Sequence, residues 1–183
     1  MRIEKTKIDG VCLIHLQPVE DERGWFCREF CEEAFREHGL ETRYVQVNHS
    51  YSRRKGTLRG LHYQLNPFAE CKLVRCVKGK VLDVIVDVRK ESPTFLHWLG
   101  TKLCHQEFKA LYVPRGFAHG YQSLVDDSEV MYSASAFYSS RDERRVRFDD
   151  PAVHIDWPIL PPILSPKDSC TEWLTPDFKG IEI

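Results

Sequence analysis

The chain's 183 residues, 42% hydrophobic and 11% aromatic, fit one domain spanning 1–183 with its own core. Its 26 Lys and Arg are scattered among 27 Asp and Glu for a formal charge of −1, which leaves no basic stripe for nucleic acid. Met1 to Lys7 lack the apolar core of an export signal, and no apolar run approaches the roughly 18 residues of a membrane helix, so no membrane partner is expected.

From the N-terminus, the first expected strand covers 11–16 and precedes the polar turn Glu20-Asp21-Glu22-Arg23-Gly24. A second strand, 25–30, leads into one clear helix, 31–38, stopped by Gly39, the residue best able to take a left-handed cap. Beyond it nearly everything reads as strand: 42–50, 57–64, 71–77, 81–88, 109–113, 117–123 and 128–138. Turn chemistry joins these segments at Lys78-Gly79-Lys80, Ser92-Pro93 and Pro114-Arg115-Gly116. Many short strands with one or a few short helices predict an all-β sandwich or barrel. The segment 150–183 carries Pro151, Pro158, Pro161, Pro162, Pro166 and Pro176, so it cannot pair as a central strand and is expected to wrap the barrel.

Seven cysteines (Cys12, Cys27, Cys31, Cys71, Cys76, Cys104 and Cys170) include no Cys-x-x-Cys pair. They read as reduced thiols of a cytoplasmic protein, mostly small core fillers. A zinc site from Cys27, Cys31 and a distant histidine is the weaker alternative.

Alternation in two strands points to a cavity. Tyr44, Gln46, Asn48 and Ser50 share one face of 42–50, while Tyr132, Ala134, Ala136 and Tyr138 share one face of 128–138. Phenols framing small alanines leave room for a flat polar ligand inside a barrel. The alternative is a solvated outer face with incidental tyrosines.

Chemistry concentrates in Arg59-Gly60-Leu61-His62-Tyr63-Gln64, in Lys72, and in Pro114-Arg115-Gly116-Phe117-Ala118-His119-Gly120. The last stretch resembles the second cupin motif, Pro-x-Gly-x-x-His. Tyr63 and Gln64 stand where the first cupin motif would carry further metal ligands, so a three-ligand metal site is not expected. Acid–base work remains. His62 suits removal of a proton beside a ketone, Lys72 suits the developing enolate oxygen, and a tyrosine on a facing strand suits return of the proton.

These blocks are joined by Asp21-Glu22-Arg23-Gly24-Trp25-Phe26 with Glu29, Gln46-Val47-Asn48-His49-Ser50, Lys72-Leu73-Val74-Arg75, Asp87-Val88-Arg89 and Ile163-Leu164-Ser165-Pro166-Lys167-Asp168. Together they resemble the nucleotide-sugar 3,5-epimerase family typified by dTDP-4-dehydrorhamnose 3,5-epimerase, from about Asp21 to Asp168. The resemblance implies a cupin-type jelly roll that needs no metal or cofactor. It also implies a homodimer in which N-terminal segments cross to the partner. The implied substrate is a nucleoside-diphosphate 4-keto-6-deoxyhexose, inverted at C3 and C5. It further implies His62 as base paired with Asp168, Tyr132 as acid and Lys72 at the keto oxygen. Arg59 is then the diphosphate contact, Gln46, Asn48, His119 and Lys167 are substrate contacts, and Tyr138 lies against the base. Arg23, Phe26 and Glu29 match the segment that reaches the nucleotide.

Alternatives stay open. Asp83 on a neighbouring strand could orient His62 instead of Asp168. Strict alternation puts Arg59 and His62 on opposite faces, so both serve one site only if the strand bulges, for which Gly60 is the obvious place. Ala69-Glu70-Cys71 departs from the family pattern, and Glu70 would bring negative charge to Lys72. Single-carbon epimerases, 3,4-ketoisomerases and non-catalytic nucleotide-sugar-binding cupins share the same outline.

Overall fold

The computed structural model describes residues 1–183. Two antiparallel sheets face each other. One runs β1 (Arg2–Lys5), β2 (Cys12–His15), β10 (Lys109–Val113), β7 (Lys72–Lys78), β12 (Ser128–Ala134), β5 (Gln46–Ser52). The other runs β13 (Glu143–Arg145), β6 (Leu58–Gln64), β11 (Phe117–Ser123), β8 (Lys80–Asp87), β9 (Trp98–Cys104). A small hairpin pairs β3 (Val19–Asp21) with β4 (Gly24–Phe26), and two short helices, α1 (Glu32–Glu37) and α2 (Pro166–Ser169), lie outside the sheets. The all-β sandwich matches the expectation, and the long crossings between sheets are those of a cupin-type jelly roll.

The core follows from β8, Lys-Val-Leu-Asp-Val-Ile-Val-Asp, which is covered on both faces. Val81 and Ile85 point between the sheets, where Val74, Leu103, Leu111 and Val130 meet them. Leu82, Val84 and Val86 point outward and are covered by Val153 and Trp157 of the C-terminal segment. Removing each such side chain from water contributes roughly 1.5–3 kcal/mol, so the proline-rich segment is part of the core's second layer. It touches the sheet through single bridges, Thr57 to Ile163 and Arg89 to Ile181, not through a ladder.

On the opposite side α1 buries Phe35 against Cys12, Ile14 and Tyr112. Gly39 follows the helix with φ +68° and Leu40 donates back to the Phe35 carbonyl at 2.9 Å, the left-handed stop the sequence predicted.

Several boundaries differ from expectation. The strand expected at 128–138 ends at Ala134. Beyond it, side-chain amides take over from the ladder: Tyr138 N–H donates to Gln46 Oε1 (2.7 Å) and Ser139 N–H to Gln64 Oε1 (2.6 Å). Tyr138 therefore does not continue the face of Tyr132. The strand expected at 42–50 begins only at Gln46, because Glu41 Oε1 accepts the amides of Thr42 and Arg43 in a tight turn. The strand expected at 25–30 is instead the end of the hairpin, and β1, β3, β9, β13 and α2 were not anticipated. All seven cysteines are unpaired, with Cys12, Cys71 and Cys76 buried; burial raises the Cys76 thiol to about 11, so it stays protonated.

Candidate active site

Between the sheets lies a cavity of about 270 Å³ lined from both sides. The five-stranded sheet contributes Arg59 and His62 from β6, His119 and Tyr121 from β11, and Glu143 and Arg145 from β13. Facing them across the gap are Ser50, Lys72 and Tyr132 of the six-stranded sheet, while α2 and its cap supply Ser165, Lys167 and Asp168.

Arg59 and His62 reach one cavity because β6 carries a bulge. His119 pairs with His62 and Tyr121 with Arg59, so β11 advances two residues while β6 advances three. Gly60 sits in the bulge with φ +117°, and a Cβ there would stand 2.6 Å from Gly120 Cα and 2.7 Å from the His119 carbonyl oxygen. Gly120 is equally constrained, since its Cβ would stand 2.6 Å from the Arg59 carbonyl oxygen. Two glycines back to back are what this bend requires.

His62 Nε2 lies 2.7 Å from Asp168 Oδ1. Asp168 is buried on α2, whose N-cap Ser165 accepts its backbone N–H at 3.1 Å and donates Oγ–H to its Oδ2 at 2.8 Å. Burial pulls the Asp168 carboxyl upward, but the partners His62, Ser165 and Arg145 together outweigh it and hold the group below the usual carboxylate range. An ionised Asp168 accepts from Nε2–H, which in a neutral imidazole leaves the lone pair on the other ring nitrogen. Asp83, the alternative partner, is taken by His119, whose Nε2 lies 3.0 Å from both carboxylate oxygens.

Lys72 is almost fully buried and its Nζ lies 3.1 Å from Glu70 Oε1, so the departure noted at Glu70 does meet the lysine. The same Nζ lies 6.0 Å from the centre of the Tyr132 ring. Burial first, then the negative charge of Glu70, pushes the Tyr132 phenol upward, so it keeps its proton at neutral pH. Arg59 is steadied by the Tyr51 carbonyl (2.9 Å) and Ser52 Oγ (3.3 Å), and Ser50 Oγ ties to Tyr121 Oη at 2.6 Å across the sheets. No three His, Cys, Asp or Glu side chains gather at metal-ligand spacing.

Of the residues singled out in the sequence, His62, Lys72, Tyr132, Asp168, Arg59, His119 and Lys167 line this cavity. Asn48 is the register partner of Tyr132 on β5 and shares its face. Gln46 is occupied by the Tyr138 amide, and Tyr138 itself is exposed, 3.5 Å from Glu143 through its hydroxyl. Arg23 pairs with Asp21 in its own hairpin, Phe26 is 68% exposed, and Glu29 pairs with Arg75; none of the three lines the cavity of its own chain. Tyr121, Glu143, Arg145 and Ser165 were not anticipated. Tyr121 was two residues from His119 and so on its face; Ser165-Pro166-Lys167-Asp168 has the cap spacing that announces a helix. Nothing in the local sequence marks β13.

A family model described as dTDP-4-dehydrorhamnose 3,5-epimerase matches residues 5–175. A Shigella flexneri protein of that name is 46% identical over 169 residues, covering 92% of this chain and 93% of the relative. A Bacillus anthracis enzyme of that name, solved with TDP and pyrophosphate bound, superposes with a TM-score of 0.91 at 39% identity, covering 94% and 99% of the two chains. A 3'-monoepimerase from Streptomyces bikiniensis, solved with dTDP-quinovose, superposes with a TM-score of 0.87 at 34% identity, covering 93% and 86%.

Proposed function

The chain belongs to the dTDP-4-dehydrorhamnose 3,5-epimerase family, and from that premise we propose how its cavity inverts C3 and C5 of a dTDP-linked 4-keto-6-deoxyhexose. The carrying observation is that His62, with Asp168, and Tyr132, with Lys72, reach the cavity from opposite sheets, which suits one pair to the base and the other to the acid. His62 removes the proton from the carbon beside the ketone, and the negative charge moves to the 4-keto oxygen. Lys72 stabilises that oxygen, and Tyr132, held in its protonated form by burial, returns a proton to the opposite face. One proton leaves and one arrives, so the carbon is inverted without any oxidant or reductant. Arg59 and Lys167 are placed to meet the diphosphate, with Asn48 and His119 toward the sugar.

Homodimer formation is part of the same reading. The hairpin residues Val19, Trp25 (56% exposed) and Phe26, together with Phe30 and Val47, leave apolar side chains uncovered in the single chain, and a partner subunit would cover them. Arg23, Phe26 and Glu29 would then reach the partner's nucleotide. Seven unpaired cysteines fit a reducing cytoplasm, and no helix is long and apolar enough to cross a membrane.

The test is proton NMR in heavy water with dTDP-4-keto-6-deoxyglucose. Deuterium enters at both C3 and C5 in the wild type and at neither in His62→Ala. The similarity to a 3'-monoepimerase supports a second reading, inversion at one carbon, which exchange at C3 alone would establish.

A further inference from the structure

The His62–Asp168 pair raises a problem that neighbouring residues answer. An ionised carboxylate 2.7 Å from an imidazole orients it but also favours the imidazolium, which has no lone pair to accept a proton. Arg145 bears on the same carboxylate oxygen. It lies on β13 as the register partner of His62 on β6, and its Nε is 3.9 Å from Asp168 Oδ1, the atom that also holds His62. That Nε is buried without a hydrogen-bond partner, while the outer end of the guanidinium is paired with Glu143. We propose that Arg145 is a positioning residue that shares the Asp168 carboxylate with His62, so that the carboxylate holds the ring without holding it protonated.

The other charges facing His62 do not do this. Lys72 of β7 is matched by Glu70, and His119 of β11 is matched by Asp83. Tyr132 of β12 is a neutral phenol at working pH, Arg59 of β6 is engaged by the Tyr51 carbonyl and Ser52, and Lys167 of α2, also in the cavity wall, is kept for the diphosphate in the reading above. Glu143 limits the effect of Arg145 by neutralising part of its charge, so the pair sets a level between full offset and none.

The inference rests on His62 being the base, and the test separates the two. The full-length chain is examined as wild type, Arg145→Met, Arg145→Lys and Glu143→Gln, by the pH profile of kcat/KM and by NMR titration of the His62 ring. Arg145→Met moves the acid limb and the ring midpoint up by about one pH unit, by loss of a nearby like charge. Arg145→Lys restores both, and Glu143→Gln moves both the other way. An unmoved midpoint in Arg145→Met, or Arg145→Lys behaving like Arg145→Met, overturns charge sharing. The ring titration needs no turnover, so it decides the proposal even if His62→Ala retains exchange. Should Arg145→Met not fold, the opposite shift in Glu143→Gln decides it.

Discussion

His62 and His119 are register partners on adjacent strands, and each holds an aspartate, yet the two pairs are built differently. Asp83 comes from β8, inside the sheet, and grips His119 with both oxygens, leaving the carboxylate fully buried and only an edge of the ring at the cavity. Asp168 comes from a short helix 106 residues along the chain and uses one oxygen, leaving His62 33% exposed toward the cavity. The buried pair exposes 6% of its imidazole, the half-open one 33%. The same two residue types thus give a fixed cavity wall in one case and, in the proposed mechanism, the base in the other, and the supplier of the aspartate makes the difference.

The largest expected effect separates the rings themselves. His62→Ala should cost about 10²–10⁴-fold in kcat/KM, the usual contribution of a positioned general base, with a smaller drop in thermal midpoint than His119→Ala, because Asp168 keeps Ser165 and Arg145 as partners. His119→Ala should lose less rate and more stability, since it strips a buried carboxylate of its partner. If the two variants give the same split between rate and melting, the comparison is broken. The aspartates should divide in the same sense. Asp168→Asn should cut kcat by at least about 10²-fold, as when an orienting carboxylate is lost from a catalytic triad. Asp83→Asn should instead cost about 1–3 kcal/mol of unfolding free energy by leaving buried polar groups imperfectly paired.

That split could be read only partly from the sequence. Residues 109–113 and 117–123 were bounded to the residue, because apolar runs between glycine and proline turns leave little freedom. The bulge at Gly60 was also legible, since only an extra residue lets positions three apart share a face. Tyr138 was misplaced because alternation assumes a strand, and the glutamine side chains Gln46 and Gln64 end this one four residues early. Arg145 and Glu143 were invisible for a different reason. A three-residue strand has too few positions to show a period, and its importance comes from lying beside β6, a non-local fact.

The glycine contact that brings Arg59 and His62 to one cavity comes next in size. Gly60→Ala places a methyl 2.6 Å from Gly120 Cα in a backbone with φ +117°, and neither backbone can yield cheaply. Strain and overpacking together should cost about 2–4 kcal/mol, measured by chemical denaturation, and should lower kcat because Arg59 and His62 lose their common face. A variant that stays stable but loses activity would place the effect in aiming alone.

The smallest effect is the most specific to the tail-supplied pair. Ser165 caps α2 and donates to Asp168 Oδ2, so Ser165→Ala should cost about 1 kcal/mol at neutral pH. Part of that loss depends on Asp168 being ionised. The folded-state value of Asp168 is lowered, so the group adds stability above its unfolded value and loses it as pH falls through the folded one. Removing one of the partners that lower it brings the folded value back toward the ordinary range. The stability gap between wild type and Ser165→Ala should therefore narrow as pH drops below about 4, the ordinary carboxylate range. Denaturation curves at neutral and acidic pH measure it directly. A gap that stays constant would mean that Ser165 serves only the helix backbone, and that Asp168 owes its ionised state to His62 and Arg145 without help from the cap.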